Sequence, residues 1–60
     1  MIGLNVAFRP RNDEGAPVKW AQIEVEQVDS NLIAAALEEK SGLPKENQLI
    51  LRANVNAVSA

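Results

Sequence analysis

The sequence feature that most constrains the fold is a helix stop, Ser-Gly-Leu-Pro at residues 41–44. Glycine readily adopts the left-handed backbone that ends many helices, and proline cannot continue the helix beyond it. Upstream, residues 29–41 carry an apolar stripe at helical spacing, and they open with two residues that can cap a first turn, Asp29 and Ser30. The sequence therefore predicts one helix over residues 29–41, with a positive φ at Gly42.

Extended segments are predicted on both sides of this helix. Residues 2–8 and residues 18–26 alternate between apolar and small or polar side chains, and a polar loop at 9–17 separates them. Such period-two patterns are typical of strands with one buried face, and two of them joined by a polar loop predict an antiparallel hairpin. Residues 48–58 form a last extended segment. We therefore expect a single α+β domain over residues 1–60, of order β-β-α-β.

The apolar face of each element defines the expected core. The hairpin and the helix contribute six large side chains, Leu4, Val6, Ile23, Val25, Ile33 and Leu37. If the last segment is one continuous strand, its apolar face consists of Leu49, Leu51, Ala53, Val55 and Ala57. On that interpretation Ile50 points away from the core.

Composition excludes several classes of function. The 60 residues contain no cysteine and no histidine, so the chain has no disulfide, no thiolate and no imidazole for a metal or for catalysis. The formal net charge of −2 argues against nucleic-acid binding, which needs clustered Lys and Arg. No apolar run approaches the ~20 residues that span a bilayer, and the first residues lack the pattern of a signal peptide. We therefore expect no cofactor, no nucleic-acid or membrane partner, and a cytoplasmic location.

The remaining polar residues show no catalytic or metal-binding pattern. Glu24 and Glu26 share one strand face, where a solvated pair is far commoner than an acid–base pair. The polar loop residues 12–14 lack the alternating oxygen ligands of a calcium loop. Ser30 and Ser41 have no base to activate them. We therefore expect a protein that is not an enzyme.

The passage around the helix stop has a distinctive set of residues: Lys40, Gly42, Leu43, Pro44, Glu46, Gln48, Ile50, Leu51 and Ala53. Residues 23–30, Ile-Glu-Val-Glu-Gln-Val-Asp-Ser, lead into the helix. Both passages resemble the ubiquitin-like β-grasp family, in which Leu-Glu-Val-Glu and Asp-Thr precede the helix and Glu-Gly-Ile-Pro and Leu-Ile-Phe-Ala follow it. The resemblance implies a β-grasp-like fold, a small mixed sheet with one helix packed on it, and a role in binding other proteins.

The chain departs from the family in its last residues. It ends Asn-Ala-Val-Ser-Ala in place of the Gly-Gly tail of the modifiers, so the resemblance does not imply conjugation. The strand at the centre of the family's sheet also comes last, and we expect nothing in this chain to supply it.

The resemblance and the alternation disagree about the last segment. The family alignment buries Ile50 and exposes Leu51, whereas a continuous strand buries Leu49 and Leu51. A turn at residues 53–54 would reconcile the family alignment with the sequence, because asparagine tolerates the left-handed region. The alternation is longer and more regular, so we expect the continuous strand.

Two features indicate surfaces for a protein partner. Trp20 falls on the polar face of its strand beside Gln22 and Glu24, where it either anchors a partner or packs on a neighbour such as Pro17. The last segment has Arg52 as the single charge among apolar residues, and an edge strand of that kind is prone to pairing. The candidate protein-binding residues are Trp20, Leu49, Ile50, Leu51, Arg52 and Val55.

The expected function is therefore a non-catalytic protein-binding module, a small ubiquitin-like adaptor or accessory subunit. The alternative is a self-assembling structural or regulatory homo-oligomer, in which a second copy pairs along residues 49–58 and completes the sheet. A domain of this size with neither disulfide nor metal gains only marginal stability from its own core. Self-association would add stability, and this favours a homo-oligomer.

Overall fold

The computed structural model of the chain describes residues 1–56. Its elements are strand β1 (Ile2–Pro10), strand β2 (Lys19–Val25), helix α1 (Ser30–Ser41), a 3-10 turn (Lys45–Asn47) and strand β3 (Gln48–Val55). The order β-β-α-β, with one helix packed on a small sheet, confirms the predicted α+β fold class. Residues 57 and 58, which the sequence assigns to the last strand, lie outside the described residues.

Strand β1 is the middle strand of the sheet, whose order is β2-β1-β3. It pairs antiparallel with both neighbours, so the two outer strands run parallel to each other. The helix lies in the connection between these outer strands. Because both pairings are antiparallel, the described sheet contains no parallel pair, which differs from the mixed sheet that the family resemblance implies.

Local chemistry sets both ends of helix α1. The side chain of Asp29 accepts hydrogen bonds from the backbone N–H groups of Asn31 and Leu32, at 2.8 and 3.2 Å. At the other end Gly42 has a φ of 79°, and its N–H donates to the carbonyl of Glu38 at 2.8 Å. The predicted cap and the predicted positive φ are both confirmed.

The core lies between the helix and one face of the sheet. It contains all six predicted side chains together with Phe8, which continues their alternation on β1: Leu4, Val6, Phe8, Ile23, Val25, Ile33 and Leu37. Helix α1 packs against β2. The helix consequently covers β3 less than it covers β2 on this face of the sheet.

Strand β3 contains a bulge opposite the Ala7–Phe8 step of β1. Ile50 lies opposite Phe8 and Arg52 lies opposite Ala7, so Leu51 is the additional residue. Residues directly opposite each other in an antiparallel pair share a face. Ile50 therefore lies on the helix-facing side and Arg52 on the open side, and the alternation changes phase between them.

The bulge makes the predicted apolar face of β3 wrong. Leu49 lies on the open face of the sheet, whereas Ala53 and Val55 lie on the helix-facing side. Neither Leu49 nor Leu51 enters the core, since the first is half-buried and the second is 52% exposed. Ile50 takes the helix-facing side, as the family alignment implies, but 37% of it is exposed. The strand itself runs without a turn to Val55, as the alternation predicts.

Hydrogen bonds hold the two ends of the sheet. At one end the N–H of Asn56 donates to the carbonyl of Gly3 at 2.9 Å. At the other end Arg11 donates from its backbone to the carbonyl of Asn47 at 2.8 Å and from its guanidinium to the carbonyl of Gln48 at 3.0 Å. The long hairpin loop is therefore fastened to the turn that precedes β3.

Candidate protein-binding site

The six candidate residues lie on the two outer strands of the sheet. Trp20 belongs to β2, and the other five belong to β3. Strand β1 separates the two groups, and neighbouring strands are about 4.8 Å apart, so about 10 Å lies between them. The structure therefore divides the candidates between two edges rather than gathering them at one point.

A row of three side chains crosses the open face of the sheet. Ala7 in the middle strand lies opposite Trp20 on one side and opposite Arg52 on the other. Ala7 is only 4% exposed although it faces away from the helix, because the two large neighbours shield its small side chain. Trp20 is 57% exposed. Its side chain is therefore accessible to another molecule, and its role as an anchor for a partner stays a prediction.

The outer edge of β3 has no strand beside it within residues 1–56. Its exposed apolar side chains are Ile50, Leu51 and Val55, the last with 62% of its surface accessible. Arg52 is the single charged residue of the strand. Proteins usually protect such edges with several charges, a proline or a covering element. This edge has only one charge, Arg52, and one other protective feature, the bulge, so most of its length stays chemically suited to pairing.

Gln48 fixes the start of β3 against the helix. It is 4% exposed, and its side-chain Nε2 donates to the carbonyls of Ala34 and Leu43 at 3.1 and 3.0 Å. The sequence predicts no role for Gln48 beyond its place in the passage that resembles the ubiquitin-like family. The available signal was the family alignment, which turns Ile50 toward the helix and therefore also Gln48, two residues before it on the same strand face.

The described residues contain neither a cluster of metal ligands nor a membrane-spanning helix. Among residues 1–56, no group of three or more acidic, histidine or cysteine side chains is placed to hold a metal ion. Within that range, no helix combines the length and the apolar character needed to span a membrane.

Comparisons with known proteins identify no relative of the chain. Protein-family models give no match to the chain, and neither curated proteins nor solved structures give one. The ubiquitin-like relationship stays a prediction, based on the residues of the chain itself.

Proposed function

We propose that this chain is a cytoplasmic, non-catalytic protein-binding module, a small ubiquitin-like adaptor or accessory subunit. Its binding surface is the outer edge of β3, and its ligand is an extended segment of a partner protein. The observation that carries the proposal is the combination of a strand edge that no strand within residues 1–56 covers with three exposed apolar side chains, Ile50, Leu51 and Val55.

The energetics of the edge support this mode of binding. A strand added to β3 would pair with its outward N–H and C=O groups, and main-chain pairing of this kind supplies affinity in many peptide complexes. Full burial of a Leu, Ile or Val side chain contributes about 1.5–3 kcal/mol. Three side chains that are about half exposed therefore contribute roughly 2–5 kcal/mol, and main-chain pairing has to supply the rest of the affinity.

The test is a selection of extended peptides from a displayed random library, with the native chain as bait. Bound peptides should shift the backbone amide resonances of residues 49–55. Leu51→Lys and Val55→Lys should each weaken binding by roughly tenfold or more, because each places a charge in the buried contact. Val18→Lys is a matched control, since Val18 is a similarly exposed valine outside β3.

Two results would contradict the proposal. One is a library that yields no peptide at all. The other is a set of peptides whose affinity is the same for the native chain and for both β3 variants.

The second candidate function is self-assembly through the same edge. Antiparallel pairing of two β3 strands about a two-fold axis would join two three-stranded sheets into one. The specific observation in its favour is that the edge is apolar along most of its length. The sequence favours self-assembly partly because a second copy could supply a missing strand. That reason no longer holds, because β3 pairs directly with β1 and leaves no gap between the described strands.

A further inference from the structure

A cleft lies on the opposite edge of the sheet, between β2 and helix α1. Its wider part has a volume of about 730 Å³ and lies between the start of β2, the end of the helix and the hairpin loop. A narrower part of about 330 Å³ continues along β2. Gln22 and Lys40 line both parts, so the two form one cleft. It follows β2 from Lys19 to Glu24, and we call it the β2–α1 cleft.

The backbone of β2 is suited to strand addition along this cleft. In the order β2-β1-β3, β2 is an outer strand, and the described residues place no strand on its far side. Six consecutive residues, 19–24, line the cleft. At about 3.3 Å per residue they span roughly 20 Å, which accommodates an extended segment of about six residues. Alternate residues of an outer strand direct their N–H and C=O groups outward, where such a segment can pair with them.

The lining of the cleft is largely apolar in its wide part. Phe8, Pro17, Ala21 and Leu43 contribute to the lining. Ala21 lies on the helix-facing side of β2, between Lys19 and Ile23. Because its side chain is a single methyl group, it leaves room for a side chain from another molecule against Leu43.

The charges of the cleft differ between its two ends, and Glu24 and Glu39 line the narrow part. Arg9, Lys19 and Lys40 line the wide part, which therefore holds three of the chain's six basic residues and none of its eight acidic residues. The guanidinium of Arg9 donates to the carbonyls of Pro10 and Asp13, at 3.1 and 3.2 Å. Its role is therefore to hold the loop, and Lys19 and Lys40 are the cations available to a ligand.

These observations define the occupant. We propose that the β2–α1 cleft binds an acidic extended peptide segment of another protein, which adds to β2 as a fourth strand. Carboxylates of the segment pair with Lys19 and Lys40, and an apolar side chain lies against Ala21 and Leu43. A second copy of β3 does not fit this chemistry, because residues 48–55 contain Arg52 and no acidic residue. The cleft is separate from the β3 edge, so the domain would hold two segments at once.

The chain supplies its own reporter for a binding experiment. Trp20 is its single tryptophan and lines the wide part of the cleft. The probe is a synthetic peptide with blocked ends, Glu-Glu-Leu-Val-Val-Thr, titrated against the native chain while the tryptophan emission is recorded. A version with Lys in place of both Glu residues tests charge. A version with methyl groups on alternate backbone nitrogens tests strand addition, because it cannot donate to β2.

We expect the acidic peptide to change the emission and to shift the amide resonances of residues 19–24. Lys19→Glu and Lys40→Glu should each weaken its binding by about tenfold, since each replaces an attractive charge with a repulsive one. Lys45→Glu makes the same charge change outside the cleft and should leave affinity unchanged within about twofold. Val55→Lys should also have no effect, which separates this site from the β3 edge.

Several outcomes would overturn the proposal. These are an acidic peptide that fails to bind at millimolar concentration, equal binding of the acidic and lysine versions, or undiminished binding of the N-methylated version. Dodecanoate is included as a small amphiphilic anion. If dodecanoate binds in the cleft more tightly than the peptide, the cleft is a site for small anionic amphiphiles, and the peptide assignment is wrong.

Discussion

The side-chain amide of Gln48 donates a hydrogen bond of 3.1 Å to the backbone carbonyl of Ala34, in the interior of the helix. The same nitrogen donates to the carbonyl of Leu43 at 3.0 Å. One buried side chain thus joins the first residue of β3 to both the helix and the segment that follows it. The start of β3 is fixed in this way, while its apolar residues remain exposed further along.

Gln48→Ala should lower the free energy of unfolding by about 1–3 kcal/mol, because it removes two part-buried hydrogen bonds, to the carbonyls of Ala34 and Leu43, each of which contributes about 0.5–1.5 kcal/mol. Urea denaturation measures the change. Gln27→Ala is the control, since Gln27 is exposed and should change stability by about 0.5 kcal/mol or less. Equal stability of the two variants would mean that Gln48 does not hold the strand to the helix.

Leu37→Ala should cost about 2–5 kcal/mol, the range for truncation of a fully buried leucine. Leu37 has no exposed surface, and it is one of the two buried residues of the helix, with Ile33. A 60-residue domain has a total stability of about 3–9 kcal/mol, so the variant should melt far below the native chain or fail to fold. Thermal denaturation followed by circular dichroism tests this. Leu32→Ala, at a more exposed position on the same helix, should have a much smaller effect.

Gly42→Ala should destabilise the chain by about 1 kcal/mol. A β-carbon built at Gly42 meets no atom within 4 Å. The cost therefore comes from the left-handed backbone rather than from a clash. Gly15→Ala is the matched control, because Gly15 does not have a positive φ and its added β-carbon makes only an ordinary contact. We expect Gly15→Ala to be neutral or slightly stabilising, and the reverse order of the two variants would contradict the helix end described above.

Self-assembly through β3 makes the melting temperature depend on concentration, because folding is then linked to association. If two β3 edges pair, dilution of the native chain should lower its melting temperature, and light scattering should report a dimer at high micromolar concentration. Asn54→Pro should give a monomeric or unfolded chain, since proline removes a donor from the strand. A native chain that is monomeric, with a melting temperature independent of dilution, would leave binding of a different protein as the function of the edge.

Local chemistry made the helix predictable from the sequence. Asp29 and Gly42 determine its two ends through side-chain capping and through freedom of φ, and both effects act within a few residues. The hairpin and its four predicted core residues followed from alternation, and the two core residues of the helix followed from helical spacing. Both patterns depend on the same short range. These elements were assigned within about two residues of their observed bounds, the usual uncertainty at element ends.

The arrangement of β3 was not predictable in the same way. Leu49, Ile50 and Leu51 are three consecutive apolar residues, so their pattern cannot show which of them faces the core. The bulge depends on how β3 fits beside Ala7 and Phe8, which are more than 40 positions away in the sequence. The β2–α1 cleft was unpredictable for a similar reason, since its volume depends on where the helix lies over the sheet. Sequence alternation contains no information about that position.

The hydrogen bond between Asn56 and Gly3 brings the two ends of the described chain together at one end of the sheet. A short linker could therefore join Asn56 to Met1, and new chain ends could be opened in the exposed hairpin loop without interrupting a strand. Such a circular permutant would keep all three strands and the helix but would separate β1 from β2 in the order of synthesis. Strand β1 would then be made last, so neither of its two pairings could form until the other elements had been synthesised. In the present order, by contrast, the β1–β2 hairpin can form before the helix is made.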